Sequence, residues 1–256
     1  MKRQSWSITD IGTKRDHNED SHFRDDELGL YVVADGMGGH RAGDVASRTA
    51  VEIVAGEVRT RAAALPPPVK SGKTQILLAE DPVPAMLSDA VRAASEAIIA
   101  KIDADRSLMG MGTTATLLFF HDVHAYFAHV GDSRLYRLRR GKLAQLSTDH
   151  SLVQEQLDAG LITKAEAESS VYKNIITRSV GFERNTLVDV ESIDWQPGDM
   201  FLLCSDGLPN LVKDKEIEEI MEKKDPETAL AFFVKLANSR GGDDNLTAVL
   251  VRAEAE

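Results

Sequence analysis

Acidic residues of this sequence stand beside short apolar runs, where strands would end or begin. Asp35 follows LYVVA and Asp206 follows FLLCS, and each of them is followed by glycine. Asp132 comes two residues after the apolar run HAYFAHV, and residues 243–244 (Asp-Asp) come shortly before LTAVLV. Because strand ends within one sheet lie side by side, these carboxylates could converge at one edge of the sheet. Converging carboxylates require a cation, and ligation by oxygen alone favours magnesium or manganese over zinc.

The same residues have a purely structural interpretation, because Asp-Gly and Asp-Asn pairs are common in turns. For any single pair, the turn is the better interpretation. The repetition of one pattern after similar apolar runs favours a shared site instead. The glycines support such a site, since a residue without a side chain lets a ligand approach the backbone and its carbonyl oxygen.

The segment RDHNED, residues 15–20, is a dense polar cluster between two predicted strands. Arg15 could bind a phosphate group with both arms of its guanidinium. Glu19 and Asp20 could add oxygen ligands to a metal site. From composition alone, a solvated surface loop is the simpler interpretation of this segment.

The hydrophobic pattern indicates which elements would position these residues. Strands are predicted at residues 5–11, 30–34, 112–120, 124–130, 133–138, 200–204 and 246–252. Helices are predicted at residues 41–61, 83–104, 214–223 and 226–239. Clusters of strands interrupted by pairs of helices indicate an α+β fold in which helices cover the sheets. Residues 62–84 mix proline, glycine, serine and charge, so they are predicted to be a surface loop within one domain that spans residues 1–256.

The composition excludes several classes of protein. The chain has 256 residues, 43% of them hydrophobic, but no run approaches the ~20 apolar residues that a membrane-spanning helix needs. Its net charge of −11 argues against nucleic-acid binding, which requires clustered lysine and arginine. A single cysteine excludes a disulfide framework and a thiolate metal cage. The first residues lack the apolar segment of a secretory signal, so we expect a cytoplasmic protein.

Three other features favour structural roles. Cys204 could suggest a cysteine phosphatase, but the Cys-x5-Arg loop of that class requires arginine where this sequence has Asn210, so a buried strand cysteine is expected. The basic run from Arg134 to Lys142 is predicted to be a solvated face, with attraction of phosphopeptides as the sharper alternative. His129, on a predicted strand, is expected to be structural.

Eight short motifs occur in the order RDHNED, VVADGMGGHRAGDVAS, MGTTAT, HVGDSRLYRL, LSTDHSLV, NIITRSVG, LLCSDGL and DDNLTAVLV. Together they resemble the bacterial branch of the metal-dependent type-2C (PPM) serine/threonine protein phosphatases. The resemblance covers nearly the whole chain, and only residues 62–84 match poorly. It implies a four-layer α/β/β/α sandwich, in which two antiparallel sheets face each other and helices flank both. It also implies an active site at one edge of the sandwich.

The resemblance assigns metal ligands by position. Asp35 would bridge two metal ions, and the backbone carbonyl of Gly36 would contact one of them. Asp206 and Asp244 would bind the other ion. Glu19 would ligate directly or through a water molecule. The implied cofactors are two manganese or magnesium ions.

Further roles follow from the same resemblance. Asp20 would support the ligation by Glu19, and Asp132 would share a third, weaker ion with the Asp206 position. Arg15 would hold the phosphate of the substrate. His40 would be the general acid, because bacterial members of the family share the motif DGMGGH that contains it.

Two positions depart from the family pattern. Some members have histidine directly after the Asp-Gly pair, where this sequence has Met37. Bacterial relatives often have His-Pro shortly before N-x-x-T-R, in a segment known as the flap, where residues 169–171 of this sequence are Ser-Ser-Val. We therefore expect the metal site to be retained, and substrate preference and turnover to differ.

The implied activity is the hydrolysis of phosphoserine and phosphothreonine in proteins. A water molecule shared by two divalent ions would attack phosphorus in line, without a phospho-enzyme. The implied partners are phosphoproteins and a cognate bacterial serine/threonine kinase, and the protein is expected to be a monomer. Two alternatives remain open: a pseudophosphatase that binds phosphoproteins without turnover, and an enzyme acting on small phosphoesters. The retained Asp35, Asp206 and Asp244 argue against the pseudophosphatase.

Overall fold

The structure, a computed structural model, describes residues 2–38, 42–65, 81–121 and 124–254. The strands are β1 (Lys2–Asp10), β2 (Asp20–Asp25), β3 (Leu30–Met37), β4 (Gly112–Thr113), β5 (Ala115–His121), β6 (His124–Val130), β7 (Arg134–Arg139), β8 (Lys142–Gln145), β9 (Asp189–Ile193), β10 (Met200–Cys204) and β11 (Leu246–Glu254). The α-helices are α1 (Ala42–Ala62), α2 (Pro82–Ala104), α3 (Leu152–Asp158), α4 (Lys164–Ser169), α5 (Asp214–Lys223) and α6 (Pro226–Ser239).

The strands form two antiparallel sheets. The first sheet has the order β2-β3-β5-β6-β9, and β4 extends it by pairing with β3. The second sheet has the order β1-β11-β10-β7-β8. The strand β11 therefore lies between the first strand of the chain and β10, which brings segments far apart in sequence side by side.

Alternate side chains of each central strand belong to different layers of the core. On β10, Phe201 and Leu203 pack between the two sheets, whereas Leu202 and Cys204 pack on the side of α5 and α6. The strand β3 is divided in the same way between the other sheet and the helices α1 and α2. Because successive strand residues point to opposite faces, a strand that is covered on both sides is apolar throughout. The predicted four-layer α/β/β/α sandwich is confirmed.

The helices begin where the sequence provides caps. At Asp81 and Asp225, the side-chain carboxylate accepts a hydrogen bond from a backbone N–H of the following turn, and proline follows each of them. Proline suits the first position of a helix because its missing N–H would have no partner there. The predicted helices 214–223 and 226–239 have the observed bounds, and the two long helices begin and end within one residue of those predicted.

Two strands of the first sheet were not predicted, because they lack an apolar run. Both β2 (DSHFRD) and β9 (DVESI) are edge strands; the side chains of β2 are mostly half-buried, and those of β9 are half-buried or exposed except for Ile193. The strand β3 is also longer than predicted, since Gly36 and Met37 pair with β4. The predicted strand 112–120 is interrupted at Thr114, whose hydroxyl replaces a backbone acceptor for the Asp35 N–H, at 2.9 Å.

The predicted surface loop 62–84 falls mostly on residues 66–80, which lie outside the described residues. The helices α1 and α2 take up its two ends, at Ala62 and Pro82. In the parts of the chain that the structure describes, each helix is too short or too polar to cross a lipid bilayer.

Candidate metal and phosphate site

The acidic residues named above lie at strand ends on one edge of the sandwich. Asp20 opens β2 and stands opposite Asp35 of β3 in the strand register. Asp206 follows β10 by two residues and Asp244 precedes β11 by two residues, and β10 and β11 are antiparallel neighbours. A hydrogen bond of 2.7 Å from Ser205 Oγ to Asp20 Oδ2 joins the two sheets at this edge.

Asp35 and Asp206 come from different sheets and meet here. Their carboxyl groups are close enough for the charge of Asp206 to raise the pKa of Asp35. The backbone of Asp35 is fixed by Thr114, whose N–H donates to the Asp35 carbonyl at 2.9 Å. Asn210 orients Asp206 by donating from Nδ2 to Oδ2, also at 2.9 Å. The other oxygen of Asp206, Oδ1, is buried without a hydrogen-bond partner.

Glu19 lies against the first turn of α1. A side chain at Gly43 would place its Cβ 2.6 Å from Glu19 Oε1, so the glycine makes room for this carboxylate. A side chain at Gly36 would collide with the carbonyl of Gly43, so both glycines are needed for β3 and α1 to approach each other. The Glu19 N–H donates to Asn245 Oδ1 at 2.8 Å, which ties it to the start of β11. Both Glu19 Oε1 and Asp20 Oδ1 are buried without hydrogen-bond partners.

Burial makes it unfavourable to ionise these carboxyl groups. Desolvation, partly offset by the hydrogen bond from Ser205, raises the pKa of Asp20 to about 7. Desolvation and repulsion by Asp244 raise the pKa of Asp206 to about 6. The pKa of Asp35 is raised well above its ordinary value, first by desolvation and then by Asp20 and Asp206. Such carboxyl groups can all be ionised at neutral pH only if a cation offsets their charge.

Asp132 belongs to the same group. It is buried, and desolvation followed by repulsion from Asp206 and Asp149 raises its pKa well above the ordinary value. The preceding Gly131 has a φ of +111°, and a side chain there would collide with Thr114. We refer to Glu19, Asp20, Asp35, Asp132, Asp206 and Asp244 as the acidic cluster.

The donor set of the acidic cluster fits a hard divalent cation. Its side chains offer only oxygen, and three of these oxygens are buried without a hydrogen-bond partner. Oxygen ligands suit magnesium and manganese. Among the described residues, no group of three acidic, histidine or cysteine side chains is arranged so that it could hold a metal ion. Binding an ion therefore requires the carboxylates to turn toward it.

Arg15 lies at the rim of the acidic cluster, as expected for a residue that meets the substrate. Its guanidinium donates to Asp244 Oδ2 at 2.7 Å, and 46% of its side chain is exposed. This pairing with Asp244 was not predicted. An incoming phosphate group would compete with Asp244 for the same guanidinium.

Other predicted positions have different outcomes. His40, the predicted general acid, lies outside the described residues, and Met37 is the last residue of β3. Cys204 is fully buried in β10, and burial raises the pKa of its thiol, as expected for an inert strand cysteine. In the flap, Ser170 and Val171 follow directly after α4, and Val171 is exposed.

The basic run on β7 serves the fold. Arg134 donates to both oxygens of Asp149, at 2.7 to 3.0 Å, and Arg139 donates to both oxygens of the buried Asp199, at 2.7 and 2.8 Å. Arg137 donates to the carbonyl oxygen of Asp194. These three arginines hold carboxylates or backbone of the chain itself, so the solvated face describes only Arg140 and Lys142, which are exposed. The attraction of phosphopeptides stays a prediction.

Sequence reasoning missed the residues that orient the acidic cluster. Ser205, Asn210, Asn245 and Thr114 bind its side chains or backbone, but none of them is charged or metal-ligating by type. The available signal was position: Ser205 and Asn245 are direct neighbours of Asp206 and Asp244.

Comparison with known sequences identifies the family. The protein phosphatase 2C family matches residues 13–251 of the chain. The serine/threonine phosphatase stp of Listeria monocytogenes is 38% identical over 250 residues, which cover 96% of this chain and 94% of that protein. Protein phosphatase PhpP of Streptococcus pneumoniae is 36% identical over 254 residues, which cover 97% of both chains.

Solved structures agree with the sequence comparison. The serine/threonine phosphatase PstP/Ppp of Mycobacterium tuberculosis has a TM-score of 0.87 at 33% identity, over 100% of both chains. The catalytic domain of PstP in complex with two manganese ions has a TM-score of 0.81 at 33% identity, over 99% of both chains. These matches extend over nearly the whole chain and include the acidic cluster. The chain therefore belongs to the protein phosphatase 2C family of metal-dependent serine/threonine phosphatases.

Proposed function

We propose that the acidic cluster binds two manganese or magnesium ions, with which the enzyme hydrolyses phosphoserine and phosphothreonine in proteins. Asp35 would contact both ions and the carbonyl of Gly36 one of them. Asp206 and Asp244 would bind the other ion. Glu19 would complete the site directly or through water.

Two further acidic residues have supporting roles in this proposal. Asp20 would keep its place beside Glu19 through the hydrogen bond from Ser205, which is 2.7 Å long. Asp132 and Asp206, which repel each other, would share a third and weaker ion.

The observation that carries the proposal is the meeting of Asp35 and Asp206, from two different sheets, at a buried point where Asp206 Oδ1 has no partner. A buried carboxylate without a partner costs ~1–3 kcal/mol or more. A fold that brings several of them together therefore gains stability when a cation binds. The solved structure of the PstP catalytic domain contains two manganese ions, which supports the number of ions proposed.

When bound, divalent ions lower the pKa of water toward neutrality and withdraw charge from phosphoryl oxygens. The residues of the chain orient the reactants. Arg15 would exchange Asp244 for the substrate phosphate and hold it by two parallel hydrogen bonds. Asn210 and Ser205 would keep Asp206 and Asp20 aimed into the site. His40 is our candidate for the acid that protonates the leaving seryl or threonyl oxygen.

The biological role is proposed from the family. We infer that the substrates are proteins phosphorylated by a bacterial serine/threonine kinase, whose effect this enzyme reverses. We also propose that residues 1–256 form one catalytic domain that acts as a cytoplasmic monomer.

The test is hydrolysis of para-nitrophenyl phosphate and of a phosphothreonine peptide, after EDTA treatment and again after addition of manganese. We expect turnover only with the ion. Asp35→Asn and Asp244→Asn should each lose roughly 10²–10³-fold in kcat, since the ions supply several kcal/mol of transition-state stabilisation. Asp243→Asn is the matched control, because Asp243 adjoins Asp244 in sequence but is exposed.

Three results would count against the proposal: no ion uptake by titration calorimetry, near-wild-type rates of Asp35→Asn, or an equal loss in Asp243→Asn. Ion binding without any turnover would favour the pseudophosphatase. Competition between the two substrates separates the protein phosphatase from an enzyme of small phosphoesters, because a protein phosphatase prefers the peptide.

A further inference from the structure

A groove of about 530 Å³ opens beside the acidic cluster. Asp132 and Asp206 line its inner end. The rest of its lining comes from β7, β8 and the segment after them, from α3 and α4, from Lys173 and Asn174, and from the segment 209–215 that leads into α5. Its volume is in the range of sites that bind small molecules or a few residues of a peptide.

Four exposed lysines line the groove: Lys164, Lys173, Lys213 and Lys215. Lys173 Nζ approaches Asn210 Oδ1 at 3.5 Å, and Asn210 in turn donates to Asp206. Lys173 is therefore close to the inner end, where the phosphate of a substrate would be bound. We call this feature the lysine groove.

Two other cations of the lysine groove, Arg134 and Lys215, are already paired. Arg134 is held by both oxygens of Asp149, and Lys215 is paired with Glu218. Asp214 accepts a hydrogen bond from the Tyr136 hydroxyl.

Within the described part of the chain, Lys164, Lys173 and Lys213 form no ion pair with any carboxylate. Three unpaired lysines therefore remain, in a protein whose net charge is −11.

We propose that the lysine groove binds a second anionic group of the substrate, either a carboxylate or a second phosphate, close in sequence to the phosphoserine or phosphothreonine that is hydrolysed. This inference rests on the proposed function, since the acidic cluster must receive the first phosphate. Lysine suits the role because its flexible stem and compact charge accept carboxylate and phosphate alike. An extended peptide advances ~3.3 Å per residue, so neighbouring residues of the substrate would enter the groove.

The test compares phosphothreonine peptides that differ only in the residues flanking the phosphothreonine. One set of flanks is alanine, one glutamate, one lysine, and one contains a non-hydrolysable phosphonate analogue of phosphoserine. The readout is the ratio of kcat/KM for each charged peptide to that for the alanine peptide, so that a general change in rate cancels. We expect glutamate flanks to raise kcat/KM by roughly fivefold, as a few exposed ion pairs would. Lysine flanks should lower it.

The phosphonate peptide distinguishes the two sources of the anion. A higher ratio for phosphonate than for glutamate assigns the lysine groove to a second phosphate, and an equal ratio assigns it to any carboxylate. In 0.5 M salt both ratios should approach one, because the lysines are exposed to solvent.

Charge-reversal variants locate the effect. Lys164→Glu, Lys173→Glu and Lys213→Glu should each lower the glutamate ratio by roughly two- to fivefold, and the triple variant should favour the lysine peptide. Lys235→Glu is the matched control, because Lys235 is exposed on α6 and outside the groove. It should leave the ratio unchanged.

The outcome is separable from the proposed function. Failure of wild-type enzyme to hydrolyse para-nitrophenyl phosphate and the alanine peptide with manganese would contradict the proposed function. Full activity on both, with a glutamate ratio of one at low salt, would overturn the lysine groove alone. Survival of the wild-type ratio in the triple variant would overturn it as well.

Discussion

Two groups of buried and half-buried polar side chains differ in whether their hydrogen bonds are complete. The acidic cluster has three buried oxygens without a partner. The second group, which we call the histidine network, consists of Thr116, His129, His150, Arg178 and Asp189. Both of its histidines are almost fully buried, and all of their ring nitrogens have partners.

The contacts of the histidine network fix His150 as neutral, and burial favours the neutral form of His129 by lowering its pKa. His129 donates from Nε2 to the Thr148 carbonyl at 3.1 Å, and its Nδ1 is hydrogen-bonded to the Thr116 hydroxyl at 3.0 Å. His150 accepts the Gly131 N–H at Nδ1 and donates from Nε2 to Asp189 at 3.0 Å. These assignments follow because a carbonyl can only accept and a backbone N–H can only donate.

The difference indicates what each group is for. A buried polar group that is fully bonded stabilises one arrangement of the chain. A buried group that lacks a partner lowers stability, and its retention points to a ligand that supplies the partner. On this basis we propose that the histidine network is structural, in line with the prediction for His129, and that the acidic cluster is functional. The following predictions test that division.

The largest effect is expected from Asp206→Asn. It should reduce kcat by roughly 10²–10³-fold, because a proposed ligand is lost. In EDTA at pH 7.5 it should leave the free energy of unfolding unchanged or raise it, since it removes a repelled buried charge. Activity assays and urea unfolding measure the two quantities. A large loss of stability in EDTA would place Asp206 among the structural residues.

His129→Ala should have the reverse profile. Loss of the buried ring leaves a cavity and an unpaired Thr148 carbonyl, which together cost ~2–4 kcal/mol of unfolding free energy. The manganese affinity of the folded protein should change little. His124→Ala is the control, because His124 is exposed on the same strand. Equal stability of the two variants would contradict the structural role of His129.

The two groups also oppose each other in their dependence on pH. Burial, followed by the proximity of His150, lowers the pKa of His129 to about 3. Its contribution to stability is therefore complete above pH 6.5 and is lost as the pH falls toward 3, by ~1.4 kcal/mol per pH unit. Asp20 and Asp206 have raised pKa values, so their contribution is complete below about pH 4 and is lost as the pH rises through 6 to 7. Unfolding of Asp206→Asn and wild type in EDTA, at pH 5.5 and 7.5, measures the second effect. Between pH 5.5 and pH 7.5, the free energy of unfolding of Asp206→Asn should rise by roughly 1 kcal/mol relative to that of wild type.

Manganese should remove the cost of ionising the acidic cluster. At a concentration 100-fold above the dissociation constant, an ion stabilises the folded state by ~2.7 kcal/mol, which raises Tm by roughly 5–10 °C. Differential scanning calorimetry at pH 7.5 measures the shift. It should be smaller in Asp206→Asn and unchanged in His124→Ala. A shift of the same size in Asp206→Asn would show that the ion binds elsewhere.

Arg15→Ala is expected to have the smallest effect. It should raise KM for a phosphopeptide by roughly tenfold, since a charge-assisted hydrogen bond to phosphate is lost, and lower kcat less. Removal of Arg15 also frees Asp244, so the variant should bind manganese at least as tightly as wild type. An unchanged KM would exclude Arg15 from phosphate binding.

The sequence predicted most of the fold because both sheets are covered on both sides. The central strand β10 is apolar throughout, and Asp206-Gly207 follows shortly after its end. The edge strands β2 and β9 were not predicted because most of their residues are polar and only half-buried or exposed, so no apolar run marks them.

The sequence predicted which residues belong to the candidate site, but not how they contact one another. Asp35 and Asp206 could be chosen from their positions after apolar runs. The pairing of Arg15 with Asp244, by contrast, joins residues 229 positions apart and depends on the packing of the sheets. The lysine groove could not be predicted from the sequence either. In the sequence, Lys164, Lys173 and Lys213 resemble ordinary surface lysines, and only the structure shows that they line one groove.

Both sheets contribute residues to the proposed ion site. Asp35 belongs to the first sheet, and Asp206 follows a strand of the second. The spacing of the two sheets is set by an aromatic layer that includes Phe120 and Phe201, whose ring centres are 5.7 Å apart. A substitution in that layer, far from the proposed ligands, would let the two sheets shift relative to each other. The affinity for the ions would then fall, although each sheet kept its strands. Weakened ion uptake with an unaltered far-ultraviolet circular dichroism spectrum, after trimming Phe201 to leucine, would reveal such slippage, and undiminished uptake would argue against it.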